Sequence, residues 1–454
     1  MKKFLFALIV LISTSSAFAS FPPDSTNSVF EKGTAQYFIT EGRRLYSEEQ
    51  YQYALVKFRE ALSKDANNAV ATYWIGECHL AMGNYEKAIE NAEKALAVDP
   101  LVYVESPYLL GVCYHRLGEL DKAIENFTKL LGTLGETRLK ELRVQILIDE
   151  CNRAKEMMKT PVNVSVRALG MSINSPFDDY APTLSPDGKF FYFVSRRADN
   201  LGGGVSEGDK RFFEDIYVCV WSDSLNDWTP ASNDDEIVKR LNSYGMDAVS
   251  YIAPDGKTLY LTINTMTLET PKPKTKHADI FVSKINNKGG WNTPRPLEKP
   301  VRTSYFEASA TFTGDAKIMY FVSERIGGEG RADIWMATKD GNAWAKPTNM
   351  GKVINTPGQE TTVFVTPDNK YLFFSSTGHP GMGGYDVYVS VNTGGTWSQP
   401  VNLGYPINTV SDETHFVYHQ QLNKAYYSTF TNAENKGVGA RDIFEIDMAG
   451  YKLP

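Results

Sequence analysis

Two hydrophobic patterns divide the chain. From Ala35 to about Thr160, apolar residues recur every three or four positions, and glycine and proline are scarce. This spacing predicts amphipathic helices that each bury one face. After Thr160-Pro161, apolar residues alternate in short runs between turn-forming residues, which is typical of strands. The sequence therefore predicts a helical domain over residues 35–159 and an all-β domain over residues 160–454.

The helical part repeats itself at intervals of 34 and 35 residues. The repeated positions are Gly42, Gly76 and Gly111, followed 12 residues later by Ala54, Ala88 and Ala123. Small residues at this period are typical of the close helix contacts in a tetratricopeptide (TPR) repeat, and the segment resembles that family over roughly 100 residues. The resemblance implies an α-solenoid. Residues 138–159 are expected to form one more helix that caps the stack.

The all-β part repeats as well, in five units of about 50–65 residues. Each unit has a turn ending in lysine, an aromatic strand, a loop and a strand opened by an acid. The turn lysines are Lys189, Lys257, Lys317, Lys370 and Lys424, and the strand-opening acids are Asp215, Asp279, Asp333, Asp386 and Asp442. Five units of about four strands predict a five-bladed β-propeller. The repeated sequence motifs, such as SPDGK at residues 185–189, resemble those of the TolB-type, WD40-like propeller blade. The resemblance covers residues 162–454.

The two ends of the all-β part complement each other. The fifth unit stops after Ile443-Phe444 and lacks the Trp- and Pro-containing strand that ends the other units. The sequence of residues 162–170 is similar to the sequence at the end of those units, for example residues 400–409. Residues 162–170 are therefore expected to supply the outer strand of the last blade, which closes the ring without an open edge.

The start of the chain has the three parts of a secretory signal. These are Lys2 and Lys3, an apolar run over residues 4–12, and the small-residue cleavage site Ala17-Phe18-Ala19. The sequence predicts a signal peptide over residues 1–19, a linker over residues 20–34 and a periplasmic location. No cysteine lies near the cleavage site, so a lipid anchor is not expected, and no apolar run is long enough for a transmembrane helix.

Charge and cysteine content exclude several classes of function. The sequence has 47 lysines and arginines against 54 aspartates and glutamates, a formal net charge of −7. This balance argues against sequence-independent nucleic-acid binding, which needs a basic face. None of the four cysteines forms a Cys-x-x-Cys pair. His415 and His419 are four residues apart in a predicted strand, about 13 Å, too far for one metal ion. Neither a metal nor a cofactor is expected.

One set of acids recurs about ten residues before each turn lysine. Its members are Asp179, Asp247, Glu307, Glu360 and Glu413. Repetition places them near the start of each innermost strand, where they could ring a mouth of the central channel. One interpretation is a binding site for a cation or a basic peptide, because clustered carboxylates add their fields. The alternative is that each acid bonds a neighbouring blade's loop and holds the ring together, as expected of a residue that recurs in every repeat.

The same symmetry argues against an enzyme. Some five-bladed propellers are glycosidases, which need two carboxylates in different environments, about 5 Å or 6.5–9.5 Å apart. Equivalent acids in equivalent surroundings do not readily acquire different pKa values. No nucleophile elbow and no His-Glu-x-x-His motif occurs. We predict no catalytic residues, and a propeller glycosidase remains an alternative.

The TPR resemblance implies a groove lined by the first helix of each pair, which accepts extended or helical peptides. Its positions in this chain are Arg43, Tyr46, Tyr73, Glu77, Tyr108, Val112 and His115. Tyrosine suits such a surface because it offers a wide contact area with few torsions to immobilise. The alternative is a solvated face that binds nothing.

Together these features predict a non-enzymatic, protein-binding scaffold of the Gram-negative cell envelope, peripheral to the outer membrane. The order of signal, TPR repeats and propeller resembles the front part of the PorE-like family, periplasmic components of the type IX secretion machinery. PorE-like proteins continue into an OmpA-like peptidoglycan-binding domain, whereas this chain ends at Pro454, so no such anchor is expected. The alternative is a TolB-like protein that binds envelope partners through its propeller.

Overall fold

The computed structural model describes residues 34–206, 210–264, 278–341, 343–431 and 435–454. The predicted signal peptide and linker therefore lie outside the described residues, except for Thr34. The chain forms two compact units, and the boundary between the helical and the all-β unit lies between Glu156 and Met157. Among the described residues, none of the helices is both long and apolar enough to span a bilayer.

The helical unit begins with three antiparallel helix pairs and ends with two further helices. Its elements are α1 (Ala35–Ser47), α2 (Tyr51–Lys64), α3 (Ala69–Ala81), α4 (Tyr85–Val98), α5 (Ser106–Arg116), α6 (Leu120–Leu131), α7 (Glu136–Glu141) and α8 (Val144–Lys159). The repeated glycines lie where the helices of a pair touch. A Cβ at Gly42 would lie 2.6 Å from the Phe58 ring, and a Cβ at Gly111 would lie 2.6 Å from the Phe127 ring. The helical unit is thus a TPR-like repeat, as predicted.

The capping segment differs from the prediction of one helix over residues 138–159. It consists of α7 and α8, which are separated at Leu142 and Arg143. Arg143 has a φ of 54°, a left-handed conformation that ends a right-handed helix. The apolar periodicity continues across this break, so the sequence pattern did not indicate the turn at Leu142 and Arg143.

The all-β unit contains five antiparallel sheets, which we number as blades in chain order. Blade 1 comprises β2 (Asp179–Leu184), β3 (Phe190–Ser195), β4 (Asp215–Ser222) and β5 (Asp227–Trp228). Blade 2 comprises β6 (Met246–Ile252), β7 (Thr258–Asn264), β8 (Asp279–Lys284) and β9 (Arg295–Pro296). Blade 3 comprises β10 (Glu307–Phe312), β11 (Ile318–Ser323), β12 (Asp333–Asp340), β13 (Ala343–Trp344) and β14 (Thr348–Asn349).

Blades 4 and 5 complete the ring. Blade 4 comprises β15 (Glu360–Val365), β16 (Tyr371–Ser376), β17 (Asp386–Thr393), β18 (Thr396–Trp397) and β19 (Val401–Asn402). Blade 5 comprises β20 (Thr414–His419), β21 (Lys424–Phe430), β22 (Arg441–Asp447) and, on its outer edge, β1 (Ser165–Ala168). The innermost strands contact one another in the order β2, β6, β10, β15, β20 and back to β2. This is a five-bladed β-propeller, as predicted.

The ring closes through the strand expected from residues 162–170. Strand β1 pairs antiparallel with β22, from Ser165 opposite Asp447 to Ala168 opposite Phe444. The first strand of the unit therefore completes the last blade. Aromatic side chains such as Phe193, Phe373 and Tyr427 fill the space between blades and are almost fully buried.

Candidate functional site

The five repeated carboxyls lie at the same end of the five innermost strands. Asp179, Glu307 and Glu360 are the first residues of their strands, Asp247 is the second residue of β6, and Glu413 directly precedes β20. All five side chains are fully buried. The structure therefore gathers the predicted set at one end of the propeller and places it inside the protein.

Each of these carboxyls accepts hydrogen bonds from a serine or threonine four residues earlier. At Glu360 the donors are the Thr356 N–H at 3.0 Å and the Thr356 hydroxyl at 2.7 Å. The equivalent donors are Ser175, Ser243, Thr303 and Thr409. The acid thus fixes the loop through which the chain enters its blade.

An asparagine directly before that serine or threonine ties the same loop to the preceding blade. Asn408 accepts the Val387 N–H through Oδ1 at 2.7 Å and donates through Nδ2 to the Val387 carbonyl at 2.8 Å. Asn174, Asn242 and Asn355 bind the backbone of Ile443, Ile216 and Ile334 in the same way. We call the asparagine, the hydroxyl residue and the acid the blade clamp.

The clamp between blades 2 and 3 has a different first residue. Arg302 takes the place of the asparagine, and its Nε lies 3.7 Å from Asp279 Oδ2. The repeat spacing indicated the acids but not the asparagine and hydroxyl residues of the clamp. Its signal is nevertheless present, because four of the five acids follow an Asn-Ser or Asn-Thr pair at a constant distance.

Burial raises the pKa of these carboxyls, because the charged form loses its hydration. The pKa rises to about 8 for Asp247 and Glu413, to about 7 for Glu360 and to about 6 for Asp179. The rise at Asp179 is opposed by Arg197, whose Nη2 lies 3.2 Å from the carboxylate. Burial also raises the pKa of Glu307, which Arg325 approaches to 3.3 Å.

Partly protonated and fully buried acids present a weaker field than a ring of five open carboxylates. Their bonds to the blade-joining loops favour the structural alternative for this set. Binding of a cation or a basic peptide at these residues stays a prediction. Among the described residues, no group of three or more His, Cys, Asp or Glu side chains could hold a metal ion.

We predict a measurable cost for breaking one clamp. Asn408→Ala leaves the buried Val387 N–H without its acceptor and removes one of the two donors to the Val387 carbonyl, which keeps the Leu403 N–H. The free energy of unfolding should therefore fall by about 2 kcal/mol. Urea denaturation followed by tryptophan fluorescence measures the loss. The control is Asn292→Ala, which removes an exposed bond from Asn292 Nδ2 to the Lys284 carbonyl and should cost less than about 0.5 kcal/mol. Equal losses would contradict a special role for the clamp.

The glycine-rich loops of blades 3 to 5 wrap the strand-opening acids. Asp386 accepts the N–H groups of Met382 and Gly383 at 3.0 and 3.2 Å. Asp333 and Asp442 accept the equivalent N–H groups of Gly330 and Gly439, both at 3.0 Å. In each of these loops, backbone N–H groups therefore donate hydrogen bonds to a carboxylate of the same blade.

The propeller axis contains a small cavity of about 50 Å³, enough for a few water molecules. Residues of all five innermost strands line it, including Tyr180, Ser309 and His415. Glu214 is the one carboxyl among its lining residues in the described part of the chain. The cavity therefore lacks the pair of carboxylates that glycoside hydrolysis requires.

The predicted groove residues lie on α1, α3 and α5, which contact each other in turn. Tyr46, Glu77 and Tyr108 are partly exposed. The Arg43 guanidinium lies 5.2 Å from the centre of the Trp74 ring. The hydroxyl of Tyr73 lies 2.6 Å from Glu77 Oε1, and that of Tyr46 lies 3.4 Å from Oε2.

Three of the predicted groove residues lie inside the helical unit. Tyr73 is 5% exposed, Val112 is 4% exposed and His115 is 3% exposed. Helix α7 lies next to the start of α5, since Arg138 on α7 donates to both carboxylate oxygens of Glu105, the residue directly before α5, at 2.6 and 2.7 Å. The exposed part of the predicted groove is therefore formed by α1, α3 and the start of α5, and binding there stays a prediction.

Comparison with known proteins concerns short segments of the chain. A family model described as anaphase-promoting complex, cyclosome, subunit 3 matches residues 47–130. No curated protein matches. The matched family segment covers part of the helical unit and does not assign the whole chain to a family.

Similar solved structures cover about a quarter of the chain. The chaperone SycD of Yersinia enterocolitica, in complex with a peptide of the translocator YopD, is 21% identical over 26% of this chain and 93% of that chain, with a TM-score of 0.25. The TPR domain of P58(IPK) is 24% identical over 28% of this chain and 34% of that chain, with a TM-score of 0.25. The second TPR of Spaghetti (RPAP3), bound to the HSP90 peptide SRMEEVD, is 22% identical over 22% of this chain and 92% of that chain. Its TM-score is 0.21.

The class of protein follows from the two units described above. The chain consists of a TPR-like helical repeat followed by a five-bladed β-propeller. Both are repeat architectures, whose extended surfaces typically bind other proteins.

Proposed function

We propose that this protein is a non-enzymatic protein-binding scaffold of the Gram-negative cell envelope. The partly exposed face of α1, α3 and α5 carries the proposal, because it presents Tyr46, Glu77 and Tyr108 side by side. Aromatic side chains with few torsions lose little entropy on binding. The non-enzymatic role is supported by the repeated acids, which bond the loops between blades, and by the small size of the axial cavity.

We further propose a periplasmic location and an association with the type IX secretion machinery. The location rests on the predicted signal over residues 1–19, and the association rests on the resemblance to the PorE-like family. Cell fractionation and the amino-terminal sequence of the mature chain test the location. Cleavage after Ala19 and recovery in the periplasm are expected, whereas an uncleaved cytoplasmic chain would contradict the proposal.

Site-specific crosslinking in intact cells tests the binding face. A photoreactive amino acid at position 108 of the full chain should capture partners, which mass spectrometry identifies. The matched control is the same label at Glu93, which lies on α4 and is exposed. Recovery of outer-membrane secretion components through position 108 alone would support the proposal. Capture at both positions alike, or at neither, would contradict it.

A second candidate is a TolB-like role in which the propeller binds the partner. Its support is a set of exposed apolar side chains at the end of the ring where the innermost strands begin: Phe177 (38% exposed), Tyr244 (39%) and Ile326 (82%). Strand register places these residues at one end, because Ser323 is paired with both Glu307 and Asp333. Crosslinking from position 326 instead of position 108 would favour this candidate.

A further inference from the structure

Glu77 occupies the centre of the partly exposed face formed by α1, α3 and α5. Its carboxylate accepts a hydrogen bond from Tyr73 on the same helix at 2.6 Å and from Tyr46 on α1 at 3.4 Å. Tyr108 on α5 lies close enough for the Glu77 charge to raise the pKa of its phenol, although burial is the larger cause. Three tyrosines, one each from α1, α3 and α5, thus surround one acid, and we call this group the acid collar.

The acid collar contains a carboxyl, that of Glu77, which forms no ion pair with a cation of the described chain. Phenol hydroxyls are the hydrogen-bond donors to Glu77. The nearby Glu105 raises the pKa of Glu77 further, beyond the larger effect of burial. Glu105 differs from Glu77 in having its own cation, because Arg138 donates to both of its oxygens.

The surrounding groups decide which ligand the collar fits. A carboxylate with two phenol donors still has lone pairs for a third donor. The faces of tyrosine rings attract cations, with a stabilisation of about 0.5–2 kcal/mol. A peptide carboxylate or an acidic side chain would instead be repelled by Glu77. Charge and ring chemistry therefore both select a cationic group.

We propose that the acid collar binds a lysine or arginine side chain of an extended partner peptide. The inference rests on the proposed function, since it names the chemistry of the partner at the same face. The cationic head contacts Glu77, and its aliphatic stem packs on the rings of Tyr46 and Tyr108. Basic residues in the partner therefore determine its register along α1, α3 and α5.

Selection from a random peptide library on the purified full chain tests the proposal. The wild type and Glu77→Gln are compared, with Glu93→Gln as the matched control, because Glu93 also accepts a tyrosine hydroxyl, from Tyr114 at 3.1 Å. Glutamine keeps an acceptor for Tyr73, and circular dichroism verifies the helix content of each variant. Peptides selected by the wild type and by Glu93→Gln should share one basic position, which peptides selected by Glu77→Gln should lack.

Calorimetry on one selected peptide completes the test. Replacing its basic residue by norleucine should weaken binding to the wild type about tenfold or more. The same replacement should weaken binding to Glu77→Gln less than about twofold, since the partner charge is absent. Peptides that bind this face without a shared basic position would overturn the inference and leave the proposed function standing. Failure to select any peptide, together with no crosslink from position 108, would overturn both.

Discussion

Glu413→Gln is expected to stabilise the propeller at pH 9 and to leave its stability at pH 5 nearly unchanged. Glu413 is fully buried, and burial raises its pKa from 4.5 to about 8, with a further contribution from the charge of Asp386. Between these two values the folded chain retains a proton that the unfolded chain has lost. Stability therefore falls as the pH rises from about 4.5, and the full cost is reached above about 8.

The size of this effect follows from the linkage between pKa and folding. At about 1.4 kcal/mol per pKa unit, ionised Glu413 costs on the order of 5 kcal/mol. Glutamine resembles the protonated acid, because it can accept from the Thr409 N–H and donate to a threonine hydroxyl. The variant therefore avoids the cost of ionisation at alkaline pH.

Urea denaturation of the wild type and of Glu413→Gln at pH 5, 7 and 9 measures the difference. The control is Glu298→Gln, because the Glu298 side chain is exposed. Asp247 and Glu360 have raised pKa values as well, so the variant should retain part of the pH dependence. A pH profile of Glu413→Gln that runs parallel to that of the wild type would refute the prediction.

Gly439→Ala is expected to lower the free energy of unfolding of the propeller by about 3 kcal/mol. A Cβ at Gly439 would lie 2.3 Å from the Phe177 carbonyl oxygen and 2.5 Å from that of Ser175. These oxygens belong to the entry loop of blade 1, where the N–H of Ser175 is bound to Asp179. The clash is with backbone atoms held by the blade clamp, so a side-chain rotation cannot relieve it.

The position of Gly439 makes the effect specific to ring closure. The glycine precedes β22 in blade 5, and the loop it touches leads into blade 1. Gly170→Ala is the matched control, because nothing lies within 4 Å of a Cβ there. Hydrogen exchange of β1 and β22 should increase in Gly439→Ala and stay unchanged in Gly170→Ala. Equal stability of the two variants would show that the closing junction tolerates the extra methyl group.

The repeats were predictable because their signals are local. Gly42 and Phe58, or Gly111 and Phe127, lie 16 residues apart and contact each other within one helix pair. Each blade likewise has its turn, its aromatic strand and its strand-opening acid within one repeat. Even ring closure was predictable, since residues 162–170 resemble the ends of the other units and β1 pairs with β22.

The candidate sites were only partly predictable. Repetition located the five acids, but not that each one is buried against a serine or threonine four residues earlier. The TPR pattern located seven groove residues, but Tyr73, Val112 and His115 are buried inside the helical unit. The turn at Arg143 also went unpredicted, because the apolar spacing of α7 continues into α8.

The sequence by itself determined the number and kind of repeats, since periodic spacing is a property of neighbouring residues along the chain. Only the tertiary structure decided which repeated polar residues face water and which join the blades. The reason is that solvation and pKa depend on what packs against a side chain from elsewhere in the chain. Glu77 and Glu413 are both glutamates in repeats, yet packing leaves the first partly exposed among tyrosines and encloses the second between two blades.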